Sequence, residues 1–536
     1  MLLKRGYEDP QAAYEFLEPS LEGLHDPGLM KGIKEAVARI AQARKSKEKI
    51  IIYGDYDVDG ITSVAVLKRA LELLGMKPAY YIPLRLEDGY GLKNDALERI
   101  AGEDYRLVIT VDCGIRAVEC AEYAGELGLD LIITDHHLPM EQSPKAVAVI
   151  NPKQADCSYP FEDLAGVGVV FKLVQALFAE AGKQDLVHHF LKLVAIGTVA
   201  DMVPLTGENR IITHFGLKGL SRPHNPGLRA LLDCSGIGPQ VSSQDIGFRL
   251  APRINAYTRM GGGDEIVELF FMDDPVGIRR LIEEMNQKNI DRKESELQII
   301  AEIDAGLAER GITPEDSFLV FYGEDWPRGV IGNAASRMAK RYHRPCLVIS
   351  VGEESCQGSG RSIPGFNLLD ALTSCDDLLS RYGGHAQAVG CSLSGGDIAA
   401  IEELKSRLDA YAGKQMDEEM LIPVLDIDSF VSVNQVVLEL YSQIKTLEPF
   451  GMANPEPVFA AKNVQVTDGP RLLSGRHIKM QAMALDGPVD MLWWQRPDIP
   501  DNLVTGSRVD VAFSLKLDTY RENTSVYMNV KDLKAF

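Results

Sequence analysis

The sequence predicts an α/β protein: a doubly wound, mostly parallel sheet, a long connecting helix, a second α/β unit and an all-β C-terminal module. Three observations carry this. Between Lys49 and about Leu205, short β-branched runs alternate with stretches of helical spacing, the pattern of a parallel sheet covered by helices. Over 275–310, Leu281, Ile282, Met285, Leu297, Ile300, Ile303 and Leu307 keep helical spacing around the very polar QKNIDRKESE. After about Leu425, strand-like segments recur between turns, as in a small barrel or sandwich.

In chain order, 1–48 reads as an N-terminal helical segment. A first domain with a helical extension follows over 49–274, with strands at 50–53, 79–82, 107–111, 129–134 and 146–150. Leu131 to Thr134 is a continuous apolar run ending in Thr, as expected of a strand buried on both faces. The helix over 275–310 is long enough to reach about 50 Å, and Gly311 and Pro314 end it. The second unit, 311–415, has strands near 318–322 and 346–351 and helices near 332–342 and 398–411. The β module, 425–536, has strands at 458–466, 478–484, 489–494, 509–517 and 525–530.

Composition narrows the class. With 536 residues the chain holds about three or four domains. The start, MLLKRGYEDP, turns polar too soon for a secretory apolar core, and the near-apolar run 164–179 contains Lys172 and falls short of a membrane span. A buried helix explains that run. Eight scattered cysteines without a C-x-x-C pair read as reduced thiols of a cytoplasmic protein with no membrane association. A net charge of −21 argues against broad, non-specific adhesion to nucleic acid, though not against a local basic groove.

The chemistry concentrates in YGDYDVDGIT, where Asp55, Asp57 and Asp59 precede Gly60. An EF-hand needs a carboxylate six places past that glycine, and Val66 stands there. A strand before the turn and a helix after it instead make the first unit of an α/β sheet. RLVITVDCG sets Asp112 at the end of another strand, and LDLIITDHH sets Asp135, His136 and His137 at the end of a third. GTVADM carries Asp201 in an apolar stretch. A lone Asp after a strand is ordinarily a turn residue or helix cap. Four such clusters, three of them converging on one edge of a parallel sheet, fit two divalent ions. Dominant carboxylates with an imidazole and no thiolate favour Mn²⁺ over zinc, and paired ions suit in-line displacement at phosphorus.

GDYDVDG, VDCG, DHH and GTVADM, in this order, resemble the signatures of the DHH phosphoesterase superfamily. The rest of the chain resembles its RecJ family of 5′→3′ exonucleases: IPLRLEDGYGL, APRIN, RGVIG…RYHRP, GSGRSIPGFNL, GGHAQAVG and PFGMANPEPVF…GRHIKM. The resemblance implies a DHH domain, a DHH-associated domain and a C-terminal OB-fold. It implies degradation of single-stranded DNA to 5′-mononucleotides in repair and recombination, with two Mn²⁺ (or Mg²⁺) ions per active site. Single-stranded DNA is the implied partner, with a single-strand-binding protein and a helicase as candidate cooperators, for a monomeric enzyme.

Carried onto this sequence, the resemblance makes Asp57, Asp59, Asp112, His136 and Asp201 the metal ligands, with Asp112 bridging the ions. Asp55 joins the cluster, Asp135 stands behind the ligands, and His137 sits beside the scissile phosphate. Ser359, Arg361 and His385 match residues that hold a terminal 5′ phosphate. Locally, GSGRS reads equally well as a Gly-rich turn with a surface Arg. Arg85, Arg253 and Asn255 would line the path of the strand, and Arg476, His477 and Lys479 are basic candidates on the OB-fold. Trp493 and Trp494, adjacent on a strand, face opposite sides, one of them into the core. Thr258, Pro327 and Asn333 depart from the family pattern and bear on substrate handling, not on hydrolysis.

Overall fold

The computed structural model describes residues 1–83, 91–259, 262–313, 316–353, 355–394, 397–518 and 525–536. The chain forms two compact units, residues 1–282 with 426–536, and residues 283–425.

In the first unit, helices α1 (Pro10–Leu17) and α2 (Ile33–Ser46) lead into a parallel sheet of β1 (Lys49–Tyr53), β2 (Ala79–Tyr81), β3 (Tyr105–Val111), β4 (Asp130–Thr134) and β5 (Ala148–Ile150). Strand order is β2-β1-β3-β4-β5. The chain leaves β1 for β2 on one side and returns to β3 on the other. That reversal opens a crevice beyond the carboxyl ends of β1 and β3, the ligand position of doubly wound sheets. Helices α3 (Val58–Leu73), α4 (Asn94–Gly102) and α5 (Val118–Glu126) connect the strands.

After the sheet come α6 (Gly166–Glu180), α7 (Leu191–Ala200), α8 (Gly207–Leu220) and α9 (Pro226–Cys234). Helix α3 packs on α6 and α7, which accounts for its burial nearly all round. The apolar run holding Lys172 is indeed the buried helix α6. Lys172 is fully buried with its Nζ 2.5 Å from Glu208 of α8, which also accepts from the Tyr159 hydroxyl at 2.5 Å. A buried charge is tolerated where it is paired and hydrogen-bonded in this way. Next, α10 (Ser243–Asp245) runs through a π-helical turn into α11 (Ala251–Arg259), followed by α12 (Asp264–Leu269) and the 36-residue α13 (Pro275–Arg310).

The second unit contains β6 (Leu319–Glu324), α14 (Ile331–Tyr342), β7 (Cys346–Val351), β8 (Ser355–Arg361), α15 (Leu368–Thr373), β9 (Arg381–His385), β10 (Ala388–Ser394) and α16 (Ile398–Gln415). Its sheet runs β6-β7-β8-β10-β9, parallel only between β6 and β7. GSGRS is therefore part of strand β8, not a turn, and GGHAQAVG makes the β9–β10 hairpin. Glycine hides these strands from pattern reading while packing requires it. A Cβ on Gly358 would stand 2.6 Å from Cys391 Sγ, and one on Gly360 would stand 2.7 Å from Val389 Cγ2.

The chain then returns to the first unit with β11 (Ser429–Phe430), α17 (Leu438–Lys445) and strands β12 (Phe459–Leu473), β13 (His477–Ala484), β14 (Gly487–Trp493), β15 (Arg508–Asp518) and β16 (Ser525–Ala535). Pairing of β12 with β15 closes β12-β13-β14-β16-β15 into a five-stranded barrel of OB type. Phe16 of α1 belongs to the barrel's apolar core, and Met1, Leu2, Tyr7 and Leu17 pack against it. The Arg210 guanidinium of α8 donates to the carbonyls of Phe16, Leu447 and Thr446. No helix among the described residues is long and apolar enough to cross a membrane.

Candidate active site

The acidic turn is built around the start of α3. Asp57 caps the helix, its Oδ1 accepting from the N–H groups of Asp59 at 2.9 Å and Gly60 at 3.1 Å. Gly60 lies against the Asp55 carbonyl, where a side chain would collide with backbone. Asp59 is buried and accepts from Gly166 N–H at 2.6 Å and Val167 N–H at 2.8 Å, so the first turn of α6 cradles it. Asp112, just after β3, takes a left-handed φ of 61°, a conformation that costs a non-glycine residue about 1 kcal/mol. Gly166 leaves room for its carboxylate, since a Cβ there would stand 2.5 Å from Asp112 Oδ1.

His136 follows β4 and completes the cluster. Its Nε2 stands 3.3 Å from Asp112 Oδ1, 3.6 Å from Asp201 Oδ2 and 4.0 Å from Asp59 Oδ2. Asp201 reaches this point from the C-terminal cap of α7. His136 Nε2, Asp112 Oδ1 and Asp201 Oδ2 are buried with no hydrogen-bond partner among the described residues. Buried polar atoms of that kind call for an explanation, and a shared cation supplies one. Asp55, Asp57 and Asp112 form a second group with ligand atoms within 4.8 Å of one another, and Asp112 also groups with His136 and His137. The donor set of carboxylates and one or two imidazoles fits Mn²⁺ or Mg²⁺, and Asp112 belongs to both of these last two groups.

Electrostatics point the same way. Burial, then the charges of Asp59 and Asp57, push the Asp112 carboxyl well above its usual range, and the same causes raise Asp201. Burial and Asp57 push Asp59 up to about 7. Burial, reinforced by His137, drives His136 down to about 3, leaving a neutral imidazole suited to ligation. A bound cation inverts this penalty on the carboxylates.

Asp135 does a different job. Its Oδ1 accepts from His136 N–H at 2.7 Å and His137 N–H at 3.1 Å and lies 2.7 Å from His137 Nδ1, while Oδ2 accepts from Ile115 N–H at 2.9 Å. Burial opposes its ionisation, yet His137 and these donors outweigh that and hold its pKa low. Asn151 adds a 2.9 Å bond to the His137 carbonyl. Beside His137 opens a cavity of about 550 Å³ lined by Leu92, Ile115, Arg116, Cys120 and Met140.

In the second unit, Arg361 Nη1 donates to Ser359 Oγ at 3.2 Å and to the Gly360 carbonyl at 2.7 Å. Both side chains lie at the first turn of α14, where a Cβ on Gly332 would stand 3.0 Å from Ser359 Oγ and 3.2 Å from Arg361 Nη2. A guanidinium, a hydroxyl and a helix N-terminus together suit a phosphate. Ala388 pairs with both Arg361 and His385, so these two side chains share a face of the sheet. Asn333 is on the same turn of α14, and Pro327 accepts from Val330 N–H just ahead of it.

The remaining candidates are scattered. Arg253 and Asn255 lie half-buried on α11 beside buried Thr258, and Asn255 Oδ1 has no hydrogen-bond partner among the described residues. On the barrel, Arg476 is exposed and the His477 ring meets Trp494 edge-on at 4.7 Å. Trp493 is in the core while Trp494 is 46% exposed. Lys479 is paired with Asp490 at 2.6 Å. Arg85 lies outside the described residues. Sequence reasoning missed Gly166 and Val167; the signal was the GVGVV that opens an apolar helix, a place for backbone donors to meet an anion.

The chain carries matches to the DHH family N-terminal domain over 49–198, the DHHA1 domain over 315–414 and the RecJ OB domain over 427–532. It is 37% identical to the single-stranded-DNA-specific exonuclease RecJ of Bacillus subtilis, over 99% of this chain and 67% of that one. It is 33% identical to the RecJ of Escherichia coli, over 96% of this chain and 92% of that one. The crystal structure of RecJ in complex with Mn²⁺ from Thermus thermophilus superposes with a TM-score of 0.83 at 30% identity, covering 99% of this chain and 75% of that one. Agreement in all three modules, at such identity and along nearly the whole length, means that the chain belongs to the RecJ family.

Proposed function

We propose that this protein is a metal-dependent 5′→3′ exonuclease that degrades single-stranded DNA to 5′-mononucleotides in DNA repair and recombination. The observation that carries the reading is the meeting of buried His136 Nε2 with Asp59, Asp112 and Asp201 at the switch point of the sheet, with His136 Nε2, Asp112 Oδ1 and Asp201 Oδ2 finding no hydrogen-bond partner among the described residues. Asp55, Asp57, Asp59, Asp112, His136 and Asp201 would hold two Mn²⁺ or Mg²⁺ ions. Bound there, the ions supply an activated water and charge stabilisation for displacement at phosphorus.

The chain's own residues do the rest. Asp135 orients His137 through Nδ1–H and favours its imidazolium, whose Nε2–H meets the scissile phosphate and donates a hydrogen bond or a proton to it. Ser359, Arg361 and His385 would grip the terminal 5′ phosphate, which explains direction: the held end selects which phosphodiester is cut. Arg253 and Asn255 would contact the strand, and Arg476 and His477 on the barrel would meet its backbone. Lys479, already paired with Asp490, supports the barrel more than it offers charge to DNA. The enzyme would work as a cytoplasmic monomer beside a single-strand-binding protein and a helicase.

The test is digestion in Mn²⁺ of single strands labelled at either end, alongside matched RNA and blunt duplex. Release of mononucleotides from the 5′ end of single-stranded DNA, abolished by Asp112→Ala, is the expected result. Rapid cleavage of short RNA without action on long DNA would overturn it.

A further inference from the structure

The loop of residues 446–454, which leads into the barrel, is clamped onto the segment that carries Asp201. Met202 follows Asp201 with a left-handed φ of 61°. Three residues on, Leu205 N–H donates to the Met452 carbonyl at 2.8 Å. The Leu205 side chain is buried, with Cδ1 only 2.6 Å from where a Cβ on Gly451 would stand. Between them, the Pro204 carbonyl accepts from Asn209 Nδ2 at 3.0 Å. The segment from Asp201 to Leu205 therefore has little freedom.

The loop itself is rigid. Asn454 Nδ2 donates to Leu447 O at 2.9 Å and Pro449 O at 2.8 Å, and Arg210 holds the Leu447 and Thr446 carbonyls at 2.9 and 3.3 Å. Ser243 Oγ donates to the Phe450 carbonyl. Packed interiors transmit displacement instead of absorbing it. A methyl group on Gly451 has to push Leu205, and Leu205 is four residues from Asp201 along a fixed turn.

We propose that residues 446–454 are a support of the metal centre, holding Asp201 in place through Leu205, with Gly451 as the positioning residue. The barrel's leading loop is then part of the hydrolytic apparatus as well as a tether for the barrel. This rests on the reading of Asp201 as a metal ligand.

The test is calorimetric titration of the full chain with Mn²⁺, which reads binding without turnover. Gly451→Ala raises the Mn²⁺ dissociation constant by about tenfold, the scale seen when a ligand's support is disturbed. Adding Leu205→Ala to it restores affinity to the level of Leu205→Ala alone, because the two Cβ atoms then lie 3.9 Å apart in ordinary contact. A folded Gly451→Ala protein with wild-type Mn²⁺ affinity overturns the proposal. Should Gly451→Ala not fold, Leu205→Ala is compared with Leu231→Ala, a core truncation in α9. Equal Mn²⁺ affinities for those two overturn it as well. Asp201→Asn separates the two levels of inference. If it binds Mn²⁺ like wild type, the ligand reading fails; if it alone weakens binding, only the role of Gly451 falls.

Discussion

His137 Nδ1 lies 2.7 Å from Asp135 Oδ1, a buried carboxylate that accepts three backbone N–H groups as well. Burial disfavours the imidazolium, but Asp135 outweighs it and holds the His137 pKa above its ordinary value. The pair therefore stabilises the fold most at pH below the ordinary histidine value, and that contribution fades as pH rises through the raised one. Asp135→Asn keeps the shape and removes the charge. The His137 midpoint, followed by NMR in metal-free protein, falls, and the hydrolysis rate drops by at least about tenfold. An unmoved midpoint would show that Asp135 does not set the state of His137.

Gly166 performs two tasks at once. Its N–H binds Asp59 at 2.6 Å, and a Cβ there would stand 2.5 Å from Asp112 Oδ1. Gly166→Ala must rotate Asp112 or drive α6 back, which pulls the donors off Asp59. Mn²⁺ affinity is expected to fall by about tenfold or more while the protein stays folded. Calorimetry decides it: wild-type affinity would mean that the centre has slack where the structure shows contact.

Much of this was legible beforehand, for physical reasons. The strands before Asp55, Asp112 and Asp135 announce themselves because burial on both faces demands unbroken apolar runs. The long helix over 275–310 shows through its periodicity. Gly358 and Gly360 gave the opposite impression: close packing required glycine in β8, and glycine reads as a turn. Arg210 and Phe16 were invisible in sequence for another reason. Arg210 bonds to carbonyls, which every residue has, so no pattern of side chains marks the place where the N-terminal arm joins the barrel. The convergence of Asp201 on the sheet edge likewise depends on α7, whose even hydrophobicity gives no face to read.

The carboxylate cluster makes metal-free stability depend on pH. Asp59, with a folded pKa of about 7 against an ordinary value of about 3.9, binds its proton more tightly in the folded state. Asp112 and Asp201 shift in the same direction. Stability is then greatest below about pH 4 as far as these groups are concerned and is lost as pH rises toward about 7. In thermal melts the metal-free protein loses stability across this range relative to Asp112→Asn, and the increment from saturating Mn²⁺ grows with pH. Asp112→Asn raises the metal-free melting temperature at pH 8 while abolishing hydrolysis. A Mn²⁺ increment that is flat with pH would contradict the shared titration of the cluster.

Arg361 tests the basis of direction. Its guanidinium lies against Ser359 and the first turn of α14, a place where a planar fork can engage two phosphate oxygens and an ammonium cannot. Arg361→Lys keeps the charge and loses the second hydrogen bond, worth about 1.5–3 kcal/mol to a charged partner. The KM for 5′-phosphorylated single strands should rise by about tenfold or more on that energy, with kcat little changed. Strands bearing a 5′ hydroxyl never made the contact, so their KM should stay where it was. An equal loss on both substrates would move Arg361 from the terminal phosphate to the body of the strand, and the origin of 5′→3′ polarity would have to be sought in another residue.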